Sequence, residues 1–200
     1  MSKKNESTRV KVLALAVAVA VVLSAFWYTG SFNGKPQQLY LLGTVTYSDG
    51  STSTFDSRQA PTLTIQTPGG VTINSVNTNA YMTVQYTGSA SSYVLTGTFG
   101  ITIKDLTTGT YVYSTTMALT PTSTPTLVPG AALLICSSTI TQAGLQGLYG
   151  GWVNGRSYQL TDSISNAGIT VTFADGNQQS AYAGTAQISL TFMYRSGGPV

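Results

Sequence analysis

Side-chain chemistry needs titratable or ligating groups, and this chain carries few. Histidine is absent, cysteine occurs once, and Asp plus Glu total six in 200 residues. Zinc, haem and blue-copper sites each draw on several His or Cys ligands, so the chain alone supplies no such set. A Ser-His or Cys-His nucleophile falls with the same absence. One cysteine allows no disulfide within the chain. For acid–base work there remain Asp49, Asp56, Asp105, Asp162 and Asp175, scattered without a shared motif. Asp49 and Asp175 each precede a glycine, where Asp is chosen for turn geometry. Asp175-Gly176-Asn177 lacks the twelve-residue spacing and closing Glu of a calcium loop. The expectation is a chain with no catalytic residue, no metal site and no cofactor: not an enzyme, but a protein that binds and assembles.

The stretch with most recognition potential is Gly147-Leu-Tyr-Gly150-Gly151-Trp152-Val-Asn154-Gly155-Arg156. Tyr149, Trp152, Asn154 and Arg156 are its candidate contacts for a protein partner or a carbohydrate. It lacks the strand, Gly loop, helix and Lys of a phosphate cradle. Cys136 closes the apolar run Ala131–Ile135, which predicts a strand buried on both faces and a packed thiol. Thr120–Thr126 (TPTSTPT) reads as a loop and an O-glycan site.

Charge is distributed very unevenly. Lys3, Lys4, Arg9 and Lys11 against Glu6 give +3 within the first eleven residues, and the five cations and five Asp beyond them cancel. The sequence pI near 9.0 therefore belongs to a tail, not to a basic surface. No Lys/Arg cluster exists to neutralise successive phosphates, so no nucleic-acid partner is expected.

After the tail come seventeen residues, 12–28, whose only polar side chain besides the Tyr28 hydroxyl is Ser24. As a helix they span about 26 Å, slightly short of the roughly 30 Å hydrocarbon core. The snorkelling stem of Lys11 lengthens the span. Leu13, Leu15, Val17, Val19, Val21 and Leu23 form the apolar body, and Phe26, Trp27 and Tyr28 form an interfacial aromatic belt. Basic residues before the segment and none just after it place the N-terminus in the cytoplasm and the bulk of the chain outside. This is a single-pass signal-anchor. The rival is a cleavable signal peptide ending at Val22-Leu23-Ser24, and a pilin-type leader lacks the small residue expected after the basic tail.

Residues 29–37 (TGSFNGKPQ) form a stalk. Beyond them apolar residues alternate with period two. Leu39, Leu41, Val45 and Tyr47 do so, as do Met82, Val84 and Tyr86; Leu95, Phe99, Ile101 and Ile103; Ile169, Val171 and Phe173; and Ile188, Leu190 and Phe192. Strict alternation predicts half-buried antiparallel strands. Asp49-Gly50, Thr108-Gly109 and Asp175-Gly176 fall between such runs as hairpin turns. Only 140–149 offers a helical turn or two. The fold expected over 38–194 is an all-β antiparallel β-sandwich, Ig-like or jelly-roll, followed by a flexible tail at 195–200. Thr44–Gly50 (TVTYSDG) echoes Thr170–Gly176 (TVTFADG), a strand-and-turn recipe used twice.

Ser plus Thr number 54 of 200. With so few external carboxylates, stability is expected to change little from neutral pH down to about pH 3. The apolar anchor, sparse charge and Thr/Tyr-rich alternating strands loosely resemble membrane-anchored surface and virion structural proteins of hyperthermophilic archaea. That resemblance is one of style over the whole chain and carries no motif, so it transfers no functional residue. It implies a structural or interaction subunit of a cell-surface layer, filament or membrane-containing virion, partnered by the membrane and by other proteins or copies of itself. The alternatives are an accessory subunit of a membrane enzyme complex, such as a respiratory oxidoreductase, and a carbohydrate- or receptor-binding module.

Overall fold

Alternating β-branched and aromatic residues give each strand one face to bury, and two such sheets share a single core. The computed structural model describes residues 31–32, 35–36, 38–67, 69–86, 89–119, 130–195 and 198–200. The basic tail, the apolar segment 12–28 with all of its anchor residues, and the Thr/Pro loop lie outside the described residues. Among those described, no helix is long and apolar enough to cross a membrane.

In chain order the elements are β1 (Ser31–Phe32), β2 (Lys35–Pro36), β3 (Gln38–Tyr47), β4 (Thr52–Asp56), β5 (Thr62–Thr64), β6 (Ile73–Thr83), β7 (Ala90–Asp105), β8 (Tyr111–Ala118), β9 (Ala132–Thr141), α1 (Gln142–Leu148), β10 (Ser157–Phe173), β11 (Gln178–Arg195) and β12 (Gly198–Pro199). One sheet runs β4-β3-β6-β9; the other runs β12-β11-β10-β7-β8, with β5 parallel to β11. This is the expected all-β, two-sheet architecture, and α1 is the short helix placed at 140–149. Its N-cap is Thr141, whose hydroxyl accepts from Gly144 N, satisfying one of the free N–H groups of the first turn.

The alternating residues point where their pattern predicts. Leu41, Val45, Met82, Val84, Phe99, Ile103, Ile169, Val171, Ile188, Leu190 and Phe192 are all buried in one core. The twin motifs build the same turn twice. Gly50 N donates to Tyr47 O and Tyr47 N to Ser51 O; Gly176 N donates to Phe173 O and Phe173 N to Asn177 O. Asp49 and Asp175 each accept the backbone N–H two residues on, while Gly50 and Gly176 supply φ near +84° and +82°. One hairpin lies in each sheet, so the echo is turn chemistry reused in unrelated places.

Three expectations differ from what is seen. β9 is not buried on both faces: it is an edge strand, with Leu134 exposed between buried Leu133 and Ile135, and Cys136 only half-buried. A run of five apolar residues is compatible with either placement, and periodicity alone does not separate them. Of the tail expected at 195–200, the described residues Arg195 and 198–200 pair with the sheet. Val200 exchanges two backbone hydrogen bonds with Met193, and β12 adds to the edge of β11. Within the expected stalk, β1 and β2 pair antiparallel, a contact not expected from the sequence.

Candidate functional site

The glycine–aromatic stretch at 147–156 forms a plug at one end of the sandwich. Trp152 stacks on Tyr194 at 5.2 Å, meets Tyr158 edge-on at 4.6 Å and Tyr149 edge-on at 5.4 Å. Its Nε1–H donates to the Gln146 carbonyl at the end of α1, and buried Tyr158 accepts from Val153 N. One of the glycines makes room for a ring: a Cβ on Gly151 would lie 2.6 Å from the Tyr149 hydroxyl oxygen. Of the four candidate contacts, Tyr149 and Trp152 are half-buried in this cluster, Asn154 lies exposed in a turn, and Arg156 is ion-paired. The structure brings Tyr149 and Trp152 together against the core and does not bring Asn154 into that cluster.

Arg156 Nη1 donates to Asp105 Oδ2 at 2.8 Å, tying the plug to the β7–β8 turn. Burial pushes the Asp105 carboxyl up. The Arg156 guanidinium and the backbone N–H groups of Thr108 and Thr107 outweigh it and hold the carboxyl below its ordinary 3.8. A depressed value means stability present above pH 3.8 and lost as pH falls through the folded value. Arg156→Met is therefore expected to melt below the parent near neutrality, with the gap narrowing below that pH; a constant gap in pH-stepped thermal melts would remove Asp105 as the cause.

What the fold leaves open is a strand edge. Exposed sheet edges invite pairing with another chain and are normally kept short, charged, bulged or broken by Pro. β4 has five residues and ends at the Asp56–Arg58 ion pair. β5 and β12 have three and two residues, beside Pro61 and containing Pro199. β9 carries a register shift opposite Ala80/Tyr81 and runs directly into α1. β8, like β9, is free of charge and Pro and is crossed by one register shift; it differs from β9 in its larger and more exposed apolar side chains. Its sequence is YVYSTTMA, and Tyr113–Ala118 pairs with β7 without interruption. Among the described residues nothing pairs with its other side. Tyr111 is 68% and Met117 52% exposed, the first and third most exposed of the large apolar residues.

Beside this edge lies the outer face of the same sheet. Register sets Ser114, Thr102, Thr161 and Ser189 in one row across β8, β7, β10 and β11, with Tyr111, Lys104 and Gln159 in the next. Together with Ser163 and Gln187 they line a shallow trough of about 490 Å³. Lys104 Nζ sits 5.6 Å from the Tyr111 ring centre, and Thr161 and Ser189 share a hydrogen bond. No carboxylate lines it.

Sequence reasoning passed over Asp162. It is 3% exposed, inside the sandwich, where burial raises its carboxyl to about 6 and the nearby Thr78 side chain offsets part of that rise. The signal was present, because Tyr158, Leu160, Asp162 and Ile164 alternate with Gln159, Thr161 and Ser163. Period two thus places Asp162 on the buried face. A buried carboxyl of this kind predicts a pH-dependent stability in place of a nearly flat response. Among the described residues, no group of three His, Cys, Asp or Glu side chains is placed to hold a metal ion.

These features define the class: an all-β protein of two main sheets with long uncharged edge strands at β8 and β9. Comparison with protein-family models, with curated proteins and with solved structures finds no match to the chain.

Proposed function

We propose that this protein is a non-catalytic assembly subunit, held to a membrane by residues 12–28 with its sandwich on the outer side, that associates with neighbouring copies through β8. The supporting observation is the β8 edge: eight residues of high β propensity, with one side unpaired among the described residues and neither charge nor Pro to blunt it. Pairing two β8 strands about a two-fold axis joins two six-stranded sheets into one and removes both edges. Anchoring favours this further. Domains held in one membrane plane meet at a raised effective concentration, so a contact weak in solution becomes sufficient. A surface layer, a filament or a membrane-containing virion is the kind of assembly such a subunit serves, and the charge split at residue 11 supports the cytoplasmic placement of the tail.

The polar trough favours a second reading, a module that binds neutral carbohydrate. Ser, Thr and Gln groups offer paired donors and acceptors, and exposed Tyr111 offers a ring for stacking. The two readings separate in solution. Full-length protein in detergent micelles is expected to sediment as a concentration-dependent mixture of monomer and dimer without added ligand. A constant monomer across the accessible range, together with retention on a glycan array, would favour the second reading over the first.

A further inference from the structure

Asp162 lies where a carboxylate is least tolerated. Its register partners are Ile101 on β7 and Ile188 on β11, and Leu160 and Ile164 flank it on the same buried face of β10. The polar groups that face it come from the opposite sheet: the Thr78 hydroxyl on β6 and the Cys136 thiol on β9. Ser138 is the register partner of Thr78. β3, also in that sheet, presents Leu41 and Val45 to the core. No charged group among the described residues moves the carboxyl; burial is the dominant cause, and only Thr78 opposes it. Asp162 Oδ1 and Thr78 Oγ1 are both buried without a hydrogen-bond partner. The two side chains thus lie near one another between the sheets without a well-formed hydrogen bond, and no cation among the described residues balances an ionised acid.

We propose that Asp162 is a proton-operated lock between the two sheets, closed when its carboxyl is protonated and the surroundings are acidic. Protonation leaves no charge in the core, and the Thr78 hydroxyl beside the acid can accept its O–H. Ionisation leaves a buried charge flanked by isoleucines, whose burial the single Thr78 hydroxyl only partly offsets, and this favours parting of the sheets. The unfolded chain gives up this proton near the ordinary value of 3.8, whereas the fold keeps it to about 6. A raised folded value therefore makes the contribution of Asp162 fullest below 3.8, declining as pH rises through about 6 and level beyond it. Asp105, Asp56 and Asp49, all held below their ordinary value, oppose this only under more acid conditions.

The test is thermal unfolding of the full chain in detergent micelles, stepped in pH, for the parent and Asp162→Asn. The parent is expected to melt about 6–10 °C higher near pH 4 than near pH 7. Asp162→Asn should hold one melting temperature across that range. A parent that melts at the same or a lower temperature near pH 4, or an Asp162→Asn protein that keeps the parent's dependence, overturns the proposal. Should the variant not fold, infrared spectra of the parent decide. A protonated-acid carbonyl band present near pH 5 and gone near pH 7.5 supports the lock, and its absence near pH 5 refutes it.

Discussion

Trp152→Ala is expected to cost about 3 kcal/mol of stability, at the lower end of the range for large aromatics because the ring is half-buried. The change removes a ring that contacts Tyr149, Tyr158, Phe192 and Tyr194, together with the donor to Gln146 O. It opens a cavity where α1, the glycine-rich loop and β11 converge. In a chain of this size that corresponds to a fall in melting temperature of roughly 6–12 °C. Self-association of the molecules still folded should be unchanged, because the plug is not the contact. Unaltered melting with lost association would show instead that Trp152 belongs to a partner surface.

That distinction marks what the sequence made legible. Aromatics clustered at Tyr149 and Trp152 announce ring packing, and the structure contains it, with Gly151 alone of the interleaved glycines lying against a ring. Composition does not say whether such rings face inward or outward. The answer depends on Tyr158, Phe192 and Tyr194, which lie on other strands and meet Trp152 only once β10 and β11 have paired. Alternation located the buried strands because a period of two needs only local information. Edge position is different in kind, since it depends on strand order. Nothing within YVYSTTMA distinguishes an edge from an interior strand, just as nothing within Ala131–Ile135 showed that β9 borders its sheet. Asp162 occupies an intermediate position: its buried face was readable from Tyr158, Leu160 and Ile164, while its neighbour Thr78 comes from the opposite sheet. The C-terminal residues were also beyond local reading, since their partner is the backbone of Met193 and Tyr194.

The second large effect is expected at the β8 edge. Thr116→Lys combined with Met117→Lys places two cations on side chains that are already exposed. Folding should be nearly unaffected, because surface changes away from special features stay within about 0.5 kcal/mol. Association should not survive so well. In a two-fold β8–β8 contact each new charge appears twice, and like charges across paired strands repel. A combined penalty of about 3 kcal/mol weakens dimerisation roughly 100-fold. Sedimentation of parent and variant at matched concentrations checks this. A variant that melts like the parent and also assembles like it would place the contact elsewhere.

The most direct measurement maps the contact itself. A photo-cross-linking residue introduced at Ser114, exposed on β8, and separately at Ser53 on β4 and Ser137 on β9, is illuminated in full-length protein in detergent micelles. Mass spectrometry then identifies the joined peptides. Pairing through β8 predicts a covalent dimer from position 114, linking residues 111–118 of one copy to the same residues of another, and little product from 53 or 137. Dimers arising from 53 or 137 with none from 114 would contradict it.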